Sequence, residues 1–235
     1  MRSKRFGEVR YTDRWFCYFD LLGFCRLVDD KSIDEIIPTY EEVVRELEDQ
    51  TGAKAPLGVS SSWFSDTFIL FSRYGTDREF AAVEQAGRLF FQKLLLKDVP
   101  LRGALTFGKL YSRVDRNIFI GPALIDAYHY AEAQDWIGLI LTPTAYRRCR
   151  STVLDLDNRA HYRRVEAEAV VRKFPREDVY AFAFNNASIG GRNPYLEHIR
   201  AMRATAPTEC RHKYDNTEAF LLLHSREFGE VSTSA

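Results

Sequence analysis

Three short segments carry residues able to do chemistry, each with one charged side chain in a largely apolar setting. In Tyr18-Phe19-Asp20-Leu21-Leu22-Gly23-Phe24 a carboxylate ends an apolar run. Gly23 then lets the backbone turn into a short helical segment, where exposed N–H groups favour an anion. In Ser65-Asp66-Thr67 a second carboxylate stands between two strand-like runs. In Pro100-Leu101-Arg102-Gly103-Ala104-Leu105-Thr106-Phe107-Gly108 a lone arginine interrupts an apolar strand. Its guanidinium suits an internal carboxylate or, bidentately, a phosphate. Asp20 also suits a turn cap, and Asp66 a tight turn. If the two carboxylates face each other, desolvating them unpaired is costly. Mg²⁺ or Mn²⁺ would neutralise the pair and still accept phosphate oxygens.

Several elements must position these groups. Arg14 to Asp20 reads as a strand buried on both faces. Ser32 to Glu35 and Thr39 to Glu42 each match a capping box, ahead of a helical stripe that stops at Gly52, with Pro38 leaving the start open. Leu57 to Ser62 and Thr67 to Ser72 read as strands of a hairpin with Trp63-Phe64-Ser65-Asp66 between them. Thr76 to Glu79 caps a long amphipathic helix ending before Pro100. Leu101 to Phe107 and Lys109 to Arg113 read as two strands joined at Gly108, and Gly121-Pro122 opens a helix running to about Gln134. Ile137 to Leu141 is a buried strand, Pro143 starts a short helix, and Val179 to Phe184 is the last strand. Beyond lie helical segments near Tyr195 to Arg203 and Thr217 to Phe228, then a terminus expected to fray. The order β-α-ββ-α-ββ-α-β is that of an α+β, ferredoxin-like domain with a largely antiparallel sheet. The divisions are an N-terminal arm (1–13), a catalytic domain (14–185) and a C-terminal loop and helical extension (186–235).

Composition narrows the function. The 235 residues carry 33 Lys and Arg against 33 Asp and Glu, so no basic surplus exists to coat a nucleic acid. The four cysteines lack metal-site spacing, which points to free thiols. Asp20 breaks the first apolar stretch, no signal-peptide cleavage site follows, and no run is long enough to span a bilayer. A soluble, cytoplasmic protein is expected.

Taken in order, Phe19-Asp20-Leu21-Leu22-Gly23-Phe24, Phe64-Ser65-Asp66-Thr67, Leu101 to Gly108 and Gly121-Pro122-Ala123-Leu124-Ile125-Asp126-Ala127 resemble the motifs of class III nucleotide cyclases. The likeness covers about residues 14 to 184. It implies that Asp20 and Asp66, with the main chain at Leu21, hold two divalent ions, Mn²⁺ or Mg²⁺. It also implies that the turn Leu21, Leu22, Gly23 and Phe24 cradles the triphosphate with Arg102. Lys173, or its neighbour Arg172, matches a further phosphate contact. Each site then lies between two catalytic domains, so a single-domain chain must form a homodimer.

The departures carry information too. Relatives that read purines place Lys or Glu before the second aspartate and Asp or Cys before the helix-opening glycine. Here those regions hold Ser62-Trp63 and Asn117-Ile118. The Asn and Arg that relatives carry on the following helix are also absent, the candidates being Ile125 or Asp126 and His129 or Tyr130. Loss of the purine set with retention of both aspartates is similar to the bacterial pyrimidine cyclases of Pycsar anti-phage systems. That likeness implies UTP as substrate, cyclic UMP as product, base contacts at Ser62, Trp63 and Asn117, and a separate effector that responds to the cyclic nucleotide. CTP, an ordinary adenylate cyclase, and an inactive nucleotide-binding regulator are the alternatives. A ferredoxin-like RNA-binding module is disfavoured by the neutral charge.

Overall fold

A computed structural model describes residues 11–51, 59–149, 162–165, 179–184 and 193–225. The first strand, β1 (Tyr11–Leu21), begins three residues before the expected start, because Tyr11, Thr12 and Asp13 pair with Tyr111, Leu110 and Lys109. Gly23, in the left-handed region at φ 73°, turns the chain into α1 (Phe24–Asp30). Helix α2 (Ile33–Thr51) starts at the first capping box, where Ser32 Oγ donates to Glu35 at 2.9 Å, and Pro38 lies within it.

Strands β2 (Val59–Phe64) and β3 (Thr67–Ser72) form the hairpin, and Trp63 and Phe64 extend β2 so that only Ser65-Asp66 turn. Helix α3 (Asp77–Leu95) carries the full Thr76/Glu79 capping box. Strand β4 (Leu101–Arg113) is one strand rather than two. Long β1 pairs with it throughout, and Gly108, opposite Arg14, stays in the ladder. Strand β5 (Ile118–Ile120), unexpected from sequence, folds back on the end of β4. Then follow α4 (Pro122–Glu132), β6 (Gly138–Leu141), α5 (143–149), β7 (Tyr162–Val165, also unexpected), β8 (Val179–Phe182), α6 (Pro194–Thr205) and α7 (Arg211–Ser225).

The sheet runs β2-β3-β1-β4-β6-β8-β7, with β5 paired to β4, and every pairing but β4 with β6 is antiparallel. Its first four strands have the ferredoxin-like order expected from sequence. Alternation along the strands divides the two faces. Phe19, Phe68 and Trp63 meet Phe90 of α3, whereas Tyr18 meets Tyr128 of α4. Gly103 is required by this packing, because a Cβ there would stand 2.5 Å from the Phe19 ring.

The C-terminal helices dock on the loops leading to the sheet. Thr217 Oγ1, buried, accepts from Ile137 N–H at 2.9 Å, and Trp136 packs on Phe220. His198 meets Asp98 at 2.7 Å and His212 meets Asp135 at 2.8 Å. Among the described residues no helix is long and apolar enough to cross a membrane.

Under α3, Glu84 is buried and bonded by the Arg88 guanidinium (Nη2 to Oε2, 3.1 Å) and the fully buried Tyr162 hydroxyl (3.0 Å). Arg88→Ala leaves that carboxylate with one neutral donor. Urea unfolding is expected to show a loss of about 3 kcal/mol, as for other broken buried pairs; a loss under about 0.5 kcal/mol, the scale of surface changes, would contradict this.

Candidate active site

Strand register builds the site. Phe64, Thr67, Asp20, Arg102 and Gly138 form one row across β2, β3, β1, β4 and β6, on the face covered by α4. Leu21 N–H donates to Asp66 O at 2.9 Å, tying the hairpin turn to the end of β1. Ser65, at φ 56°, and a bond from Trp63 Nε1–H to Ser65 O at 2.9 Å fix that turn. Asp66 is thereby held at the same end of the sheet as Asp20. Leu22 N–H donates to Pro100 O at 2.8 Å, which binds the following turn to the start of β4.

Arg102 lies deep in this arrangement, its side chain 12% exposed. Nε–H donates to Asp20 Oδ2 at 2.8 Å, Nη1 to the carbonyls of Glu132 (2.7 Å) and Gln134 (3.2 Å), and Nη2 lies 2.8 Å from Glu132 Oε2. The internal carboxylate weighed from sequence as its partner is Asp20, joined by Glu132. Glu132 was missed. A usable signal existed: a carboxylate in the last turn of a helix is disfavoured by the helix dipole unless a cation compensates it.

Burial raises the Asp20 carboxyl above its ordinary 3.8; Arg102 opposes the rise, and the charges of Glu132 and Asp66 add to it. The Tyr18 hydroxyl, 3.1 Å from Thr67 Oγ1, is pushed up to about 12, chiefly by burial, with Asp20, Glu132 and Asp66 contributing. Three carboxylates thus act on one small region beside one guanidinium, which leaves excess negative charge. That fits a cation. Among the described residues no group of three or more His, Cys, Asp and Glu side chains is arranged to hold a metal ion. The two aspartates expected from sequence, with the main chain at Leu21, are the residues that would hold one.

A folded-state value above the unfolded one means that the native protein binds the Asp20 proton more tightly. Stability from this group is therefore present at low pH and lost as pH climbs from about 3.8 through the raised value. Urea unfolding of wild type and Asp20→Asn across acidic pH is expected to show the wild type losing ground as pH rises. A growing wild-type advantage would contradict the shift.

One row further along the sheet, on the same face, lies a cavity of about 390 Å³ lined by Tyr18, Ser62, Phe64, Thr67, Ile69, Asn117, Phe119 and Leu124. Among the described residues that line it, hydroxyls and one amide supply the polar groups, and none is charged. Ser62 and Asn117, both expected at the base, are brought together here. Trp63 is not: alternation turns it to the opposite face, between Tyr40, Phe68 and Phe90. Two other expectations change. The Leu21 and Leu22 amides, expected to cradle phosphate, are already bonded to Asp66 O and Pro100 O. Asp126, a candidate for the place of the relatives' helix Asn, is held inward by Thr106 and Thr144. Lys173 and Arg172 lie outside the described residues.

No protein-family model matches the chain, and no curated protein is significantly similar to it. Solved structures are similar in fold. The adenylyl cyclase CyaB from P. aeruginosa superposes with a TM-score of 0.57 at 13% identity, over 78% of this chain and all of that one. The catalytic core of a rhodopsin-guanylyl cyclase with converted specificity, in complex with ATPαS, gives 0.56 at 12% identity, over 74% and 98% of the two chains. The adenylate/guanylate cyclase/hydrolase from Silicibacter pomeroyi gives 0.52 at 12% identity, over 74% and 98%. The mixed α+β fold of this chain, with its antiparallel-dominated sheet and packed helices, is that of class III cyclase catalytic domains.

Proposed function

We propose that this protein is a pyrimidine nucleotide cyclase that converts UTP to 3′,5′-cyclic UMP and pyrophosphate. The observation that carries the proposal is the placing of Asp20 and Asp66 at one end of a sheet face, one row from an uncharged cavity that holds Ser62 and Asn117. Divalent cations held by the two aspartates would acidify the ribose 3′-hydroxyl and neutralise the triphosphate. The chain's own groups orient the nucleotide. The turn at Gly23 and Phe24 offers main-chain contact to phosphate, since Leu21 and Leu22 are engaged, and Arg102 balances charge that grows on the leaving pyrophosphate. Ser62, Asn117 and the Tyr18–Thr67 hydroxyl pair face the base.

Selectivity in this reading is chemical rather than steric. With Trp63 turned to the opposite face, its ring does not narrow the cavity, and purines are rejected because none of the described lining residues is a Lys, Glu or Asp that would complement their edges. The anti-phage role and the separate effector rest on the sequence resemblance. Homodimerisation has support on the surface: Phe64, Ile120, Ile125 and Tyr128, from the elements that line the cavity, expose large apolar side chains.

Initial rates with UTP, CTP, ATP and GTP, each with Mn²⁺ or Mg²⁺, test the reading. UTP is expected to be turned over at least about tenfold faster than either purine, the scale of a few missing polar contacts. ATP used as fast as UTP would return the chain to the adenylate cyclases. The engagement of Arg102 by Asp20, Glu132 and Gln134 favours one second reading, a nucleotide-binding regulator; binding of triphosphate without turnover of any of the four would establish it.

A further inference from the structure

The guanidinium of Arg102 occupies the place on Asp20 where a cation is wanted, and it is tethered elsewhere by a separate set of bonds. Its Nε–H reaches Asp20. Its other edge is held by the Glu132 carboxylate and by the carbonyls of Glu132 and Gln134. The anchor itself is rigid. Gln134, buried, donates to Gly103 O at 2.9 Å and accepts from Trp136 Nε1–H at 2.7 Å, which locks the end of α4 against β4.

We propose that Arg102 is a resident counter-cation that a divalent ion must displace from Asp20, and that Glu132 is the positioning residue that keeps the displaced guanidinium beside the site. This rests on the reading of Asp20 as a metal-binding group. Two cations on one carboxylate oxygen repel, so the ion and the Arg102 Nε–H compete for Asp20 Oδ2. When the ion takes Asp20, Glu132 and the two carbonyls still hold the Nη groups, and the freed Nε–H is available to an oxygen of the triphosphate. The exchange couples ion entry to nucleotide grip, and in the absence of an ion it keeps the buried carboxylate neutralised. No covalent change is involved. The three carboxylates bear on the same point: Glu132 and Asp66 both act on Asp20, so loss of the guanidinium leaves an uncompensated acidic cluster.

A static ion pair and a displaceable one differ in how the protein binds metal without nucleotide. The experiment titrates Mn²⁺ alone into the full chain and follows free Mn²⁺ by electron paramagnetic resonance, with thermal melts as a folding control. Arg102→Gln, which removes the competing charge, is expected to bind Mn²⁺ roughly tenfold more tightly than wild type. Glu132→Gln, which leaves Arg102 with Asp20 as its one carboxylate, is expected to bind several-fold more weakly, with Glu132→Asp recovering part of the loss. Folded Arg102→Gln protein that binds no better than wild type would overturn the proposal. If that variant does not fold, Glu132→Gln decides: unchanged affinity overturns the proposal and weakened affinity supports it. Mn²⁺ binding that ignores Asp20→Asn, or no binding in any variant, overturns the metal reading of the site, and this proposal with it.

Discussion

Asp20→Asn and Asp66→Asn are each expected to reduce cyclisation by more than about a hundredfold while leaving the fold intact. Loss of groups that merely support a metal ligand already costs 10–100-fold, so removal of a charged ligand exceeds that range. Asn has nearly the volume of Asp, and Leu21 N–H bonds the Asp66 main-chain oxygen, so the turn geometry survives the Asp66 change. In Asp20→Asn the guanidinium keeps Glu132 and the two carbonyls, which holds β4 and α4 together. Product formation per enzyme, measured beside a thermal melt, checks both variants. Turnover within tenfold of wild type in either folded variant would remove the aspartates from the chemistry.

Chain mixing has the next largest expected effect. Asp66 and Arg102 of one chain both adjoin the same Asp20, Asp66 through the Leu21 N–H tie and Arg102 through the β1–β4 register. They therefore serve one site. In a mixed homodimer of Asp66→Asn and Arg102→Ala chains, one site lacks the aspartate and the other lacks the arginine. Activity of the mixture is expected to stay at the level of the separate variants, more than about a hundredfold below wild type. Recovery to a substantial fraction of wild type would place the two residues on opposite chains.

Much of this arrangement was legible in the sequence, for identifiable reasons. Asp20 closes an apolar run and Asp66 lies between two runs of strand length, so the sequence alone placed the first at a strand end and the second in a hairpin turn. The lone charge in Leu101 to Gly108 marked Arg102 in the same way. The resemblance points to Trp63 as a base contact by its position before Asp66, and with 63–66 read as a loop nothing in the sequence sets the face that its side chain takes. Once pairing runs to Phe64, parity is fixed by Phe68 and Phe90, and Trp63 must join them. Strand β5 has three residues, too few for a periodic signal; β7 reads Tyr-Arg-Arg-Val, where two adjacent charges break the apolar run that marks the equally short β6 and β8, and Tyr162 is drawn inward by Glu84 on a distant helix. Glu132 and Arg102 lie thirty residues apart and meet only because α4 crosses β4.

In the proposed reaction the protein closes the ribose 3′-oxygen of its substrate onto the α-phosphorus. The most direct measurement is mass identification of the products formed from UTP with Mn²⁺, beside a parallel reaction with 3′-deoxy-UTP. A cyclic monophosphate, lighter than UMP by one water, is expected, released one for one with pyrophosphate, and the deoxy analogue is expected to give no cyclic product. Linear UMP, UDP or unchanged UTP in the presence of folded, metal-supplied protein would contradict the proposed reaction.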